Sequence, residues 1–249
     1  FVGAMKGEIL RINPHATVVD ITHEIPKFNV WAASFILLQA AKSYPPSTVF
    51  VTVVDPGVGS SRRCLLLEAK NGMLFIAPDN GVLTWVAKQL GRKHLWEIRN
   101  RAFMAPHISH TFHGRDIMAP VAAHLTLGVN PSEVGPEIDE MQQLPINRVK
   151  KEKGKITGQI VHIDDFGNII TNISEELIDA NPGESVRIRI GGKEIGAKFG
   201  LTFCDVPRGR FVCFVGSAGL LELSKNQQSA AEELKVKVGD EFVVRGEKW

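Results

Sequence analysis

The chain has 249 residues, of which 44% are hydrophobic and 22% charged, as in a soluble globular protein with one large or two modest domains. A net charge of +2 and the lack of any apolar run of ~18 residues argue against a nucleic acid or a membrane as partner. Three cysteines, Cys64, Cys204 and Cys213, have no CxxC spacing, which argues against a disulfide framework or a zinc knuckle and favours a reducing, cytoplasmic location.

The first 135 residues alternate helix-like and strand-like segments. Apolar residues at helical spacing predict helices over residues 1–12, 30–44, 80–91 and 115–128. Runs rich in apolar and β-branched residues predict strands over residues 16–22, 48–55, 63–69 and 73–78. This alternation implies βαβ units, and therefore an N-terminal α/β domain over residues 1–145 with a largely parallel central sheet.

The composition changes near residue 145, where a polar segment over residues 146–155 predicts a linker. Short β-rich segments follow, divided by Gly, Asn and Pro turns, at residues 155–164, 168–173, 185–190, 193–199, 209–216, 220–224 and 240–246. They predict a smaller, antiparallel, barrel-like C-terminal domain over residues 156–249.

The most informative motif is VTVVDPGVGSSRR, residues 51–63. Asp55 ends the predicted strand, a Gly-rich turn follows, and Arg62 comes seven residues later. An open α/β sheet binds ligands at the carboxyl ends of its strands, so the pair could line a ligand crevice; a solvated turn with a surface arginine is equally compatible. The motif has neither the lysine of a Walker A loop nor the third glycine of a dinucleotide fingerprint.

A second motif, HISHTFHGRD at residues 107–116, offers His107, His110, His113 and Asp116. Two histidines three apart can share a metal on a helix, but a proline before the stretch and a glycine inside it disfavour a continuous helix, and no HExxH is present. His113 could instead meet substrate or orient another side chain, while surface histidines on a loop are the simplest interpretation for the other two.

Two further motifs lie in the β-rich half. Asp164, Asp165 and Asn168 flank a Phe-Gly turn, which predicts a hairpin and could also place an acid and an amide against an amine and a heteroaromatic edge. Small residues around Ser217 would let a ligand approach the backbone closely, or form only a tight turn.

Together these motifs resemble one family, the S-adenosylmethionine hydroxide adenosyltransferases, relatives of the fluorinase and chlorinase enzymes. The resemblance spans nearly the whole chain and is carried by VGAMKG (2–7), DITHEIP (20–26), VDPGVGSSRR (54–63), APDNG (77–81), TFHGRD (111–116), DDFGNIITNI (164–173) and GSAGLLELSKNQQSA (216–230). It implies the two-domain fold above and hydrolysis of S-adenosylmethionine to adenosine and methionine, by attack of water or hydroxide on the ribose 5′ carbon, with neither cofactor nor metal.

The resemblance also implies roles for individual residues. Asp55, Arg62 and His113 would surround the attacking water. On chemical grounds we expect Arg62 and His113 to polarise the water, and Asp55 to orient it and draw off its proton. The implied substrate-binding residues are Asn168 at adenine, Asp164 and Ser217 at the methionine amino and carboxylate groups, Phe28 and Phe203 along the adenosine pocket, and Asn226. Fluorinase-like enzymes have other residues at the Asp and His positions and a long insertion after the Arg, so this chain favours hydroxide over halide.

The chain departs from the family pattern at two places. A TDFG-like motif that grips the ribose would lie just before Phe1, so we expect either that further sequence lies upstream or that ribose binding is compromised. Ala218 stands where halide-using members have Arg, so backbone N–H groups would carry more of the carboxylate recognition.

The resemblance further implies a homotrimer, with active sites between the N-terminal domain of one subunit and the C-terminal domain of the next. The alternatives are a non-catalytic protein that binds S-adenosylmethionine or adenosine, a halide-using adenosyltransferase, and a metal hydrolase built on the three histidines.

Overall fold

The computed structural model describes residues 1–246 and divides into two compact units, residues 1–144 and the residues from 145 onward. In the first unit the helices are α1 (Val2–Ile12), α2 (Val30–Ala41), α3 (Thr84–Gln89) and α4 (Ala119–Thr126). The strands are β1 (Val49–Val51), β2 (Cys64–Ala69), β3 (Leu74–Pro78) and β4 (Arg92–Glu97). The mixed α/β class predicted for this half is confirmed.

The four-stranded sheet has the order β1-β3-β2-β4 and is less parallel than predicted. β1 pairs with β3 in parallel, but β3–β2 and β2–β4 are antiparallel. A short turn at residues 70–73, with Gly72 at φ +85°, joins β2 to β3, and so short a connection can join only antiparallel neighbours. The sequence pattern also gave no sign of β4, which forms the other antiparallel pair.

The prediction of a strand over residues 16–22 is wrong. Those residues are irregular, and Val19 and Ile21 are 57% and 43% exposed. A β-branched run favours extended backbone, but a strand also needs a partner, and no described strand pairs with this segment.

The helices follow their predicted positions with shorter ends. α2 is capped by Asn29, whose side chain accepts a hydrogen bond from the N–H of Ala32 at 3.0 Å. The helix predicted over residues 115–128 is confirmed in a modified form, because a π-helical turn over Gly114–Met118 precedes α4. No helix in residues 1–246 combines the length and the apolar character that crossing a membrane requires.

The second unit is a β-barrel, as predicted. Its strands are β5 (Lys150–Glu152), β6 (Lys155–Ile163), β7 (Ile169–Ser174), β8 (Ser185–Ile190), β9 (Lys193–Phe199), β10 (Phe211–Val215), β11 (Leu220–Lys225) and β12 (Glu241–Arg245), and a short α-helix, α5 (Ala230–Leu234), lies between β11 and β12. Pairing of β12 with β6 closes the seven strands β6 to β12 into a ring. Among the described strands of this ring, β9 and β10 pair in parallel and the other neighbours pair antiparallel. β5 lies in the segment that the sequence predicts to be a linker.

Each unit has its own core. Leu66 of β2 and Ile76 of β3 are fully buried in the first unit, and Ile160, Ile169 and Phe242 are fully buried in the barrel. The sheet and the barrel are therefore rigid supports for the loops that leave their strands.

Candidate active site

Asp55 and Arg62 form a buried ion pair in the loop that follows β1. Arg62 Nε donates to Asp55 Oδ1 at 3.0 Å, and Arg62 Nη2 donates to Asp55 Oδ2. The two side chains are only 9% (Arg62) and 5% (Asp55) exposed. The pair is thus a two-pronged, water-shielded contact and not a solvated turn.

His113 completes the group from a distant part of the chain. Its Nδ1 lies 2.9 Å from Arg62 Nη2. Because a guanidinium can only donate, Nδ1 must accept, and the proton of the neutral ring then resides on Nε2. Burial, followed by the positive charge of Arg62, lowers the pKa of His113, so the ring is neutral at pH 7.

Arg62 uses all of its hydrogen-bond donors inside the protein. Besides its contacts to Asp55 and His113, Nη1 donates to the carbonyl of Arg63 at 3.3 Å and to the sulfur of Cys64 at 2.9 Å. These contacts match the five N–H groups of a guanidinium. Burial lowers the pKa of Arg62, but Asp55 and Cys64 outweigh it and raise the pKa above its ordinary value. Arg62 thus contacts both Asp55 and His113, and its polarisation of a water molecule stays a prediction.

The loop over residues 55–62 has its shape because of a glycine. Gly59 has φ +78°, and a Cβ there would lie 2.3 Å from the carbonyl oxygen of His110. Ser60 Oγ donates to the Gly57 carbonyl at 2.6 Å and accepts from the N–H of Arg62 at 3.2 Å. Close backbone contact between the two loops thus brings Arg62 to His113.

The segment over residues 107–116 is anchored by Asp116, whose side chain is 2% exposed. It accepts from the N–H and hydroxyl of Ser109 at 2.8 and 2.6 Å and from Arg115 Nε at 2.6 Å. Burial raises its pKa, but the bonds from Arg115 and Ser109 outweigh this and leave the pKa below its ordinary value. Asp116 thus ties Ser109 and Arg115, which lie on either side of His113 in the chain, to each other.

The metal interpretation gains no support from this arrangement. Asp116 and the Nδ1 of His113 are both engaged by protein donors. Among residues 1–246, no group of three or more His, Cys, Asp or Glu side chains is arranged to hold a metal ion.

The APDNG motif (77–81) holds the loop that carries Asp55 in place, a role that the local sequence pattern did not predict. Asn80 Nδ2 donates to the carbonyl of Val54 at 2.8 Å, next to Asp55. Asp79 is buried and accepts from Arg63 Nε at 2.8 Å and from the N–H of Gln142 at 2.7 Å. Its place among the family-like motifs was the signal that could have found it.

In the second unit the structure joins Asp164 to Asn168. Asp164 Oδ1 accepts from the N–H groups of Phe166 and Asn168 at 3.0 and 2.8 Å, and Oδ2 accepts from Asn168 Nδ2 at 2.7 Å. Gly167, at φ +81°, packs so tightly on Ser229 that a Cβ would lie 2.0 Å from its hydroxyl. The predicted hairpin is confirmed, and Asp164 fixes the amide of the buried Asn168.

Ser217 lies exposed on the turn between β10 and β11. The turn is closed by hydrogen bonds from Gly216 N to Leu220 O and from Gly219 N to Gly216 O, both 2.9 Å. The carboxylate of Glu222 lies directly over Gly216, where a Cβ would be 1.8 Å from Oε1. Burial, then the charge of Asp164, raises the pKa of Glu222 to about 7.

The other predicted substrate-binding residues are placed separately. Phe28 is 72% exposed with the unusual φ of +67°. Phe203 is 40% exposed and packs edge-on against Phe214 at 5.0 Å. Asn226 Nδ2 donates to the carbonyl of Val206 at 2.7 Å, so this amide holds a loop.

Comparison with protein families accounts for both units. The model of the SAM hydroxide adenosyltransferase N-terminal domain matches residues 1–135, and that of the C-terminal domain matches residues 158–243. The chain belongs to the SAM hydroxide adenosyltransferase family. The family predicted from the joint order of the motifs is thus confirmed.

Members and relatives of this family resemble the chain over nearly its whole length. The (R)-S-adenosyl-L-methionine hydrolase of Methanocaldococcus jannaschii is 38% identical, over 98% of this chain and 90% of that protein. The crystal structure of an uncharacterized conserved protein from Thermotoga maritima superposes with a TM-score of 0.92 at 43% identity, covering 98% of this chain and 94% of that one.

A fluorinase of Actinoplanes is a more distant relative, 27% identical over 96% of this chain and 90% of that protein. Its alignment runs over 269 positions, at least 20 more than the 249 residues of this chain. The fluorinase therefore has residues without a counterpart in this chain.

Proposed function

We propose that this SAM hydroxide adenosyltransferase hydrolyses S-adenosylmethionine to adenosine and methionine, by attack of water on the ribose 5′ carbon. One observation carries the proposal: the buried Asp55–Arg62 pair and the partly exposed His113 together offer a water molecule one acceptor and one donor. The hydrolase name of the relative at 38% identity supports the same reaction.

The difficulty of this reaction lies in the nucleophile. Methionine leaves the sulfonium as a neutral thioether, so the leaving group needs no acid. Water, in contrast, has a pKa of 15.7 in bulk, and complete deprotonation at pH 7 would cost roughly 12 kcal/mol. A site that accepts the proton only as the new C–O bond forms avoids most of this cost.

The hydrogen-bond pattern assigns distinct roles to the three side chains. Asp55, whose oxygens face the donors of Arg62, accepts a proton from the water. The Nε2–H of neutral His113 donates to one lone pair of the water, which leaves the other lone pair for the 5′ carbon. Arg62 fixes both partners, so that positioning contributes much of the remaining rate.

The substrate-binding roles remain proposals. Asn168, oriented by Asp164, would bind the adenine edge, and Asp164 would meet the methionine ammonium group. Ser217 and the backbone of its turn would hold the carboxylate. Phe28, Phe203 and Asn226 would line the adenosine pocket, and no cofactor or metal takes part.

The relatives suggest a particular stereoisomer. Because the Methanocaldococcus relative is named for the (R) epimer, we propose that this chain also acts on the (R) form at sulfur. Each purified epimer should be incubated separately. Consumption of the (S) epimer at a rate equal to that of the (R) epimer would contradict this choice.

The hydrolysis is tested by incubation with S-adenosylmethionine in H₂¹⁸O and chromatography with mass detection. We expect adenosine labelled at the 5′ oxygen, and methionine without label. Asp55→Asn should abolish turnover and keep substrate binding, while Asp179→Asn, at an exposed aspartate, should change neither. Full activity in Asp55→Asn would refute the assignment.

The same assay separates the alternatives. A 5′-halo product formed with chloride or fluoride at rates rivalling water would support a halide-using enzyme. Binding of S-adenosylmethionine by the wild-type chain without any turnover would support a non-catalytic binding protein.

We further propose a cytoplasmic homotrimer in which the two sets of residues come from different subunits. Sedimentation should give about three times the chain mass of 27.4 kDa. Mixing two inactive variants, Asp55→Ala and Asn168→Ala, should restore part of the activity after subunit exchange. No recovery in exchanged trimers would refute the shared site.

A further inference from the structure

We propose that the thiol of Cys64 is a positioning residue for the reaction: its sulfur holds the guanidinium of Arg62 in the orientation that serves Asp55 and His113. This role presupposes the proposed hydrolysis, but it can also be tested without turnover.

Cys64 is well placed to hold Arg62. It is the first residue of β2, pairs in register with Pro78 of β3, and is only 5% exposed. It packs in the same core as Leu66 and Ile76. The sulfur is therefore held by a paired strand within the packed core.

The contact controls the end of the guanidinium that Asp55 does not reach. Asp55 takes Nε and one hydrogen of Nη2, and His113 takes the other hydrogen of Nη2. Nη1 is held by the Cys64 sulfur at 2.9 Å and more loosely by the Arg63 carbonyl at 3.3 Å. Burial, offset only in part by Arg62, raises the pKa of the thiol, so a neutral sulfur accepts the N–H.

Loss of the sulfur should raise the pKa of His113. The charged and titratable groups that face this ring are Arg62 and Asp55 from the neighbouring loop and Asp116 and His110 from its own segment. A guanidinium that is free to turn from Nδ1 would withdraw a positive charge and a donor from the ring. Protonation of His113 would then become easier, and the neutral Nε2–H tautomer less favoured.

The variants are Cys64→Ala, which removes the acceptor, Cys64→Val, which fills the space without an acceptor, and Cys64→Ser, which keeps one. Cys213→Ala is the matched control, since Cys213 is a fully buried cysteine in the barrel core. Circular dichroism confirms folding, and kcat, KM and the pH profile of hydrolysis are then measured.

We expect Cys64→Ala and Cys64→Val to lower kcat by about three- to tenfold, with KM within about twofold, and to move the acid limb of the pH profile upward. Cys64→Ser should stay near wild type, and Cys213→Ala should be unchanged. Unaltered kcat in both acceptor-free variants, or equal loss in the Ser variant without any shift of the profile, would overturn the role.

A titration of the histidine ring protons by NMR gives a readout that does not depend on activity. The pKa of His113 should rise in Cys64→Val and stay constant in Cys213→Ala. If the wild-type chain shows no hydrolysis, the proposed function fails, whereas an unmoved His113 titration refutes the Cys64 role by itself.

Discussion

The raised pKa of Glu222 leads to a prediction about stability. The carboxyl lies half-buried over Gly216, and burial followed by the charge of Asp164 raises its pKa from 4.5 to about 7. Between these values the folded state holds a proton that the unfolded state releases. The contribution of Glu222 to stability is therefore present below pH 4.5 and is lost as the pH rises through about 7.

The magnitude follows from the width of that interval. At 1.36 kcal/mol per pH unit, the change from 4.5 to about 7 corresponds to at most about 3 kcal/mol. Solvent reaches part of the side chain, and screening reduces this to roughly 1–2 kcal/mol. Glu222→Gln keeps the shape over Gly216 and removes the charge, so the variant should match wild type near pH 4, below the ordinary pKa of 4.5, and exceed its stability by that amount at pH 8.

Hydrogen exchange of the peptides that cover β10 and β11, corrected for intrinsic exchange rates, reports the local free energy of opening at each pH. Glu176→Gln, at an exposed glutamate of the same unit, controls for the loss of one charge. A variant whose stability follows wild type in parallel from pH 5 to pH 8 would refute the reasoning, as would a variant less stable than wild type at pH 8.

Two substitutions and one pH profile test the loop that carries Asp55 and Arg62. Arg62→Lys cannot reproduce five donors in a fixed plane, so kcat should fall by about 100-fold with less effect on KM; unchanged kcat would contradict the positioning role. Gly59→Ala forces a strained φ and a clash with the His110 carbonyl, and should lower the free energy of unfolding by roughly 1–3 kcal/mol, measured by urea denaturation. Because the pKa of His113 lies below the ordinary histidine value of 6.5, hydrolysis should persist at pH 6.5 and fall only at lower pH. A loss of activity already at pH 7 would argue against a neutral ring.

Local pattern predicted the elements whose signal is local. Helices α1 and α2 and the barrel strands follow from periodicity and from turn residues, and their bounds agree to within a few residues. Local pattern failed where the outcome depends on a distant partner. Residues 16–22 have the composition of a strand without forming one, and the direction of β2 follows from its short turn to β3.

The candidate site shows the same division. Spacing alone was equally compatible with an Asp55–Arg62 pair and with a solvated turn. His113 lies 51 residues from Arg62, so only the family resemblance predicted that the three residues belong to one site. The packing of Gly59 on His110 and the contact of Cys64 with Arg62 depend on how two loops and a strand meet. No local pattern encodes such contacts.

The distribution of donors and acceptors bears directly on the choice of nucleophile. A halide ion has no proton to give up, and a carboxylate repels it, so a site for halide attack gains nothing from Asp55. Water carries no charge and must lose a proton as it attacks, so it needs an acceptor of the kind Asp55 provides. Arg62 neutralises that carboxylate and has no N–H left to attract an anion, and neutral His113 adds no charge. The local electrostatics thus favour water over halide for a reason independent of the missing insertion.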